Sequence, residues 1–195
     1  MSTFKNNKPS RQEAENAVKT LIAWAGDNPE REGLRDTPKR VVDSYQEFFA
    51  GYNIDPNLVL GKTFEDVSGY DDIVLLKNMR LESHCEHHIA PIIGKAHIAY
   101  IPNKKVVGIS KIARLLDVYG KRLQTQETMT AQIASTIYNV LNPKGVAVLI
   151  DAKHQCMTTR GIHKTDTTTI TKTMLGDFLN NKDLEKKFID MIKFQ

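Results

Sequence analysis

The chain has 195 residues, 41% of them hydrophobic, and a formal net charge of +4. That length supports one sizeable core, and no apolar run approaches the ~20 residues a bilayer span requires, which excludes a helical membrane protein. The cationic excess is small and dispersed in pairs such as Lys104-Lys105, Lys121-Arg122 and Lys186-Lys187. It suits a small polyanion such as a nucleotide better than the continuous stripe of a nucleic-acid surface.

Residues 11–26 carry Ala14, Val18, Leu21, Ile22 and Ala25 at helical spacing, with Gly26 as the stop. A second helix is expected from a Thr37 cap and a first-turn Pro38, with Val41, Tyr45, Phe48, Phe49 and Tyr52 on one face and Gly51 as its end. Residues 53–71 have turn chemistry, after which Ile73 to Leu76 open a β-rich run into Cys85. From Gly94 the pattern alternates, with Ala96, Ile98 and Tyr100 on one face, Lys95 and His97 on the other, until Pro102 halts the pairing. Ser110 is read as the cap of a helix bearing Ile112, Leu115, Leu116 and Tyr119. Thr125 caps another that carries Met129, Ile133, Ile137 and Leu141. Asn142 to Gly145 form a turn, and Val146, Val148, Ile150 and Ala152 alternate along the next strand. Extending that period of two places His154 and Cys156 on one face. Thr165 to Thr173, rich in β-branched residues, is expected as a strand, and residues 182–194 return to helical spacing. The division expected is an N-terminal helical extension over 1–60 and a catalytic domain over 61–195.

The polar start MSTFKNNKPSRQEAE has no signal-peptide pattern, so a cytoplasmic location with reduced thiols is expected. Metal ligation is then the better use of the two cysteines than a disulfide. They stand in two clusters, Cys85-Glu86-His87-His88 and His154-Gln155-Cys156. Two thiolates and one imidazole make three zinc ligands and leave a fourth position open, the mark of a catalytic site. Neighbouring His87 and His88 point apart on any regular backbone, so one ligates and the other is left as an acid or base. The residues alone do not say which. His84 and His97 are read as surface or supporting residues. Ser110, Lys111 and Arg114 gather a hydroxyl, two cations and helix-terminal N–H groups, a combination suited to phosphate. Arg160, four residues past Cys156, can clamp an anion, whereas Glu127 has only a favourable helix-terminal place to explain it.

Taken together, Cys85-Glu86-His87-His88, Gly94-Lys95-Ala96, Ala99-Tyr100-Ile101-Pro102, Gly108-Ile109-Ser110-Lys111, Arg114, Gln126-Glu127, Asp151-Ala152-Lys153-His154-Gln155-Cys156 and Thr159-Arg160-Gly161 closely resemble the GTP cyclohydrolase I family. Gly33 to Arg40 extend the likeness into the N-terminal helices. The resemblance implies an α+β tunnelling fold: a four-stranded antiparallel sheet with two helices between its middle strands, preceded by N-terminal helices. It implies hydrolysis of GTP to 7,8-dihydroneopterin triphosphate and formate, the first step of tetrahydrofolate or other pterin biosynthesis. The implied zinc ligands are Cys85, His88 and Cys156, with His87 and His154 as catalytic proton carriers. Glu127 and Gln126 would meet guanine, while Ser110, Lys111, Arg114 and Arg160 would hold the ribose and triphosphate. The implied assembly is a homodecamer of two pentameric rings. His84 departs from the usual apolar residue before Cys85, and Ile162-His163-Lys164 varies a loop. A zinc-stabilised nucleic-acid module would need a fourth protein ligand and a contiguous basic face. A nitrile reductase of the same fold would need a nucleophilic cysteine, and both cysteines here are committed to metal.

Overall fold

Ser10 opens helix α1 (Arg11–Trp24) in the computed structural model, which describes residues 8–61, 63–64 and 69–194. Its hydroxyl accepts from the Glu13 N–H while the Glu13 carboxylate takes the Ser10 N–H at 2.7 Å, a capping box. Gly26, at φ +98°, succeeds the helix end in the left-handed conformation that glycine adopts without strain. Helix α2 (Thr37–Phe48) begins one residue earlier than its sequence suggests. Thr37 is its first helical residue, Asp36 is the N-cap without a side-chain cap bond, and Pro38 occupies the first turn. Arg11 of α1 pairs with Asp43 of α2 at 2.7 Å. Helix α1 buries no residue; Leu21 is 63% and Trp24 85% exposed.

These helices form one unit, ending at Phe49, and residues 50–195 form a second. The division falls ahead of the 60/61 boundary expected from sequence because α3 (Pro56–Leu60) is part of the second unit. Leu60 is fully buried in the main core of that unit. The second unit opens with a 3-10 turn, Ala50–Asn53, so helical backbone resumes at Gly51 rather than stopping there. Of the stretch 53–71 expected as turns, residues 62 and 65–68 lie outside the described residues. The rest holds α3 and the two-residue strand β1 (Thr63–Phe64).

The architecture is α+β. Four long strands, β2 (Val74–Cys85), β3 (Pro91–Ile101), β6 (Gly145–His154) and β7 (Thr169–Gly176), lie side by side and antiparallel. Helices α4 (Ile109–Gly120) and α5 (Gln126–Leu141) intervene between β3 and β6 in the chain. The sheet has a fifth member that sequence did not suggest. Strand β5 (Leu123–Gln124) pairs in parallel with the end of β2, so the order is β5-β2-β3-β6-β7 and the sheet is mixed. A separate two-stranded piece joins β1 to β4 (Val106–Val107). The Thr-rich segment enters the sheet only at Thr169, so its first four residues belong to the preceding loop.

Period-two alternation divides the apolar residues of the sheet between two cores. Ile92, Ala96, Ile98, Tyr100, Val146, Val148 and Ile150 join Leu115, Met129 and Ile133 of α4 and α5 in the larger one. Ala99, Ile101 and Ala147 face the other way and meet Phe178 and Phe188, carried by α7 (Asp177–Asn180) and α8 (Lys182–Lys193). Strand β3 is therefore buried on both faces along its second half, where its alternation had suggested one wet face. His97 is only 5% exposed there. It accepts the Asn78 N–H on Nδ1 at 3.3 Å where β2 slips register between Leu76 and Met79, with Asn78 at φ +58°. A polar side chain inside the sheet is satisfied by the backbone donor that a bulge leaves unpaired. Gly94 allows β3 and β6 to approach closely, since a Cβ there would meet Asp151 O at 2.1 Å.

Candidate active site

Cys85 is the last residue of β2, and the chain reverses immediately after it. Its N–H donates to Ala90 O at 2.8 Å, and Ile89 N–H donates back to Cys85 O at 2.8 Å. Ile89 closes this turn at φ +52°, a left-handed conformation costing a β-branched residue about 1–3 kcal/mol. Glu86 N–H is held by Gln124 O of β5 at 3.0 Å. The short strand unseen in the sequence thus anchors the turn that carries Cys85 and His88.

The third member arrives from β6. The strand ends at His154, and Cys156 lies in the helical turn α6 (Gln155–Thr158). The period-two extrapolation past His154 is therefore corrected: the backbone turns helical there, and His154 and Cys156 are presented from different elements. Ile92 at the start of β3 pairs with His154, which brings α6 beside the Cys85 turn. Ligand atoms of Cys85, His88 and Cys156 all lie within 4.8 Å of one another, the one such group among the described residues. Zinc bond lengths imply tetrahedral ligand–ligand edges of about 3.5–3.8 Å. Cys85 Sγ lies 3.9 Å from His88 Nδ1, so a small closure fits the set to an ion. Burial first, and then the neighbouring Cys85, push the Cys156 thiol above its ordinary range. A divalent cation between the two sulfurs removes that penalty.

The other expected residues divide into three places. His87 stands beside the metal group, its Nδ1 3.7 Å from Cys85 Sγ and its side chain 65% exposed. Arg160 Nη1 lies 3.1 Å from His88 Nε2. His154 is half-buried, its Nε2 2.8 Å from Gln126 Oε1. Burial lowers the His154 pKa from its ordinary value, partly opposed by the charge of Glu127. Glu127 itself is exposed in the first turn of α5, whose cap is Thr125, accepting the Thr128 N–H. Ser110 is exposed and is not a cap: α4 starts at Ile109 with Gly108 as N-cap and no side-chain cap bond. Lys111 and Arg114 line a cleft of about 500 Å³ between α4 and the Ala50–Asn53 turn with α3, together with Lys121 and Asp117. Burial raises the Asp117 carboxyl there, against the pull of Lys121. None of the three metal-group residues lines that cleft.

Gln126 differs most from its expected part. It is fully buried, and its side chain points into the sheet. Sequence reasoning also passed over Thr130 and Thr171, which complete its hydrogen bonds.

A family model described as GTP cyclohydrolase I matches residues 14–193. The chain belongs to the GTP cyclohydrolase I family. It is 63% identical over 188 residues to the GTP cyclohydrolase 1 of Maricaulis maris, covering 96% of this chain and 92% of the relative. Identity to the enzyme of the same name from Hyphomonas neptunium is 62% over 184 residues, with 94% and 89% covered. For the one from Brucella suis it is 55% over 188 residues, with 96% and 88% covered. Among solved structures, the apo form of the archaeosine synthase QueF-Like aligns with a TM-score of 0.44 and 21% identity over 53% of this chain and 93% of that one. That likeness is too slight to bear on fold or function. As a member of the GTP cyclohydrolase I family the protein is a hydrolase, and its Cys-His-Cys group can hold a metal ion. No helix among the described residues is long and apolar enough to cross a membrane.

Proposed function

We propose that the protein hydrolyses GTP to 7,8-dihydroneopterin triphosphate and formate, with zinc as its resident metal. The observation that carries the reading is the convergence of Cys85, His88 and Cys156 from two distant parts of the chain, in a member of this family. Three protein donors leave a catalytic zinc one open position, and the chemistry it supplies when bound is activation of water, whose pKa falls to about 7.

The side chains do the rest. His87, exposed beside the metal group, donates a proton to the imidazole nitrogen of guanine as the ring opens. His154 carries protons in the later rearrangement of the ribose. Glu127 accepts from N1–H and the 2-amino group of guanine, a pair of donors that adenine lacks; adenine would leave the carboxylate unpaired. Ser110, Lys111, Arg114 and Arg160 hold the ribose and triphosphate, which serves as a handle and is not cleaved. The sequence accordingly has no phosphate-binding Gly-rich Lys-Ser/Thr loop.

The tunnelling fold, a homodecamer of two pentameric rings, a cytoplasmic location and a place at the head of tetrahydrofolate synthesis belong to the same reading. The exposed Trp24 and Leu21 of α1 support assembly through the N-terminal helices. Every residue assigned to the chemistry lies in the unit over residues 50–195. The deciding experiment is incubation of metal-replete protein with GTP, monitoring formate and the fluorescence of the oxidised pterin. Both products are expected, and a sample yielding neither overturns the assignment.

A further inference from the structure

Gln126 is the first residue of α5, and its side-chain amide lies 0% exposed between that helix and the sheet. Its Nε2 carries two protons and shares them among three acceptors, Ile150 O of β6 at 3.1 Å, Thr169 O of β7 at 2.8 Å and Thr171 Oγ1 at 3.1 Å. Two of these partners are backbone carbonyls, which can only accept. The amide is therefore fixed in one orientation, because its flipped form would press Oε1 against two carbonyl oxygens.

The hydroxyls nearby tighten the same constraint. Thr130 Oγ1 donates to Gln126 O at 2.6 Å and lies 2.7 Å from Thr171 Oγ1. With its proton spent on Gln126 O, Thr130 can only accept from Thr171, whose hydroxyl in turn accepts from the Gln126 amide. Donation thus runs from the side-chain amide through Thr171 and Thr130 to the main-chain carbonyl of Gln126. Hydrogen bonds chained in this way polarise one another where the local dielectric is low.

What remains is Oε1, and it faces His154 Nε2 at 2.8 Å. An amide oxygen cannot donate, so the proton in that contact sits on Nε2. In the neutral ring the lone pair is then on Nδ1.

We infer that Gln126 is a positioning residue that holds His154 as its Nε2–H tautomer, making Nδ1 the atom through which that histidine handles protons. The inference rests on the reading of His154 as a proton carrier. Nδ1 takes a proton from a substrate O–H or C–H bond, whose electron pair stays on the substrate, and the charge rests on the imidazolium while Nε2–H remains on Gln126. The same Nδ1 returns the proton to the substrate at a later step, and no bond of the amide is made or broken. A carboxylate in that place could compete for the Nε2 proton; an amide oxygen is too weak a base to do so. Gln126 thereby acts on the reaction without its side chain meeting guanine.

The test is solid-state ¹⁵N NMR of histidine-labelled holoprotein, with the His154 signals assigned by their loss in His154→Gln. Protonated Nε2 and bare Nδ1 are expected in the unaltered protein, and the opposite tautomer overturns the inference without any variant being needed. Gln126→Met, unbranched and of similar volume, should mix the tautomers and lower kcat about 10²-fold. KM for GTP should stay within about twofold and metal content should be unchanged. Should that variant fold poorly, Thr171→Val loosens the amide without touching it, and a smaller kcat loss with the same tautomer mixing is expected. A raised KM with kcat intact would mean that the amide contacts substrate, and the inference fails. Absence of formate from the unaltered protein would instead sink the proposed activity, while the spectrum still decides the tautomer.

Discussion

The metal corner and the amide clamp lie two residues apart at the end of β6, yet they are built on opposite principles. Cys85, His88 and Cys156 come from a strained turn and a single turn of helix, with His88 exposed and His87 free to meet a ligand. Gln126, Thr130, Thr171 and His154 are knit by hydrogen bonds of 2.6 to 3.1 Å, around an amide that is itself fully buried. The corner works through the identity of its atoms, and its backbone needs only to aim them. The clamp works through direction: the two carbonyls fix which way the amide faces, and the histidine at its end inherits that order.

The sharpest way to break this contrast is at the corner. Cys156→Ala should abolish both metal retention and turnover, read by elemental analysis beside the formate assay. His87→Ala should keep the metal and lose about 10²–10⁴-fold in kcat. Equal metal loss in the two variants would mean that ligand and proton donor have been exchanged. Glu127→Gln should lower the GTP-over-ATP preference about 10- to 10²-fold, the worth of a charge-assisted hydrogen bond. Competition kinetics with both nucleotides checks it, and an unaltered preference would remove Glu127 from base recognition.

Smaller effects sharpen the other side. Thr130→Val interrupts the hydroxyl chain and leaves a buried partner unsatisfied, so denaturant unfolding should show a loss of about 1–3 kcal/mol. Thr125→Ala removes the cap of α5 and should cost about 1 kcal/mol. His97 gives the smallest signal. Burial lowers its pKa below the ordinary 6.5, aided by Lys95 and Lys77 and opposed by Asp151. The unfolded chain then binds more protons just below that value, so stability rises with pH through this window and is lost as pH falls. His97→Gln should flatten the fall in Tm between about pH 7 and pH 5, and an unchanged slope would rule out its contribution.

The legibility of the sequence divides along the same line. The three residues of the Cys-His-Cys group stand out because Cys and His are scarce and their chemistry is written in their names. The helices and long strands were legible from apolar spacing, since Ile133 and Ile137 or Ile98 and Tyr100 must share a face wherever the chain goes. Strand β5 escaped because two residues carry no period and its pairing is set by β2. Cys156 was carried too far along β6 because nothing in Lys153-His154-Gln155 announces the turn to helix. The caps at Thr37 and Ser110 shifted by one or two residues, as boundaries do when neighbouring backbone can adopt either state. Gln126 was placed at the substrate by resemblance, whereas the acceptors that claim its amide lie 24 to 45 residues further along the chain.

Gln126 and Glu127 are joined by one peptide bond in the first turn of α5, one side chain turned inward and the other outward. If Glu127 holds the base as proposed, one that fits it badly would pull on the same link that meets the His154 ring. Misplacement of a reacting group by about 1 Å can cost on the order of 10²-fold in rate. Under the proposed roles a mistaken nucleotide would be penalised twice, once at docking and again in the timing of hydrogen transfer, by a lever one residue long.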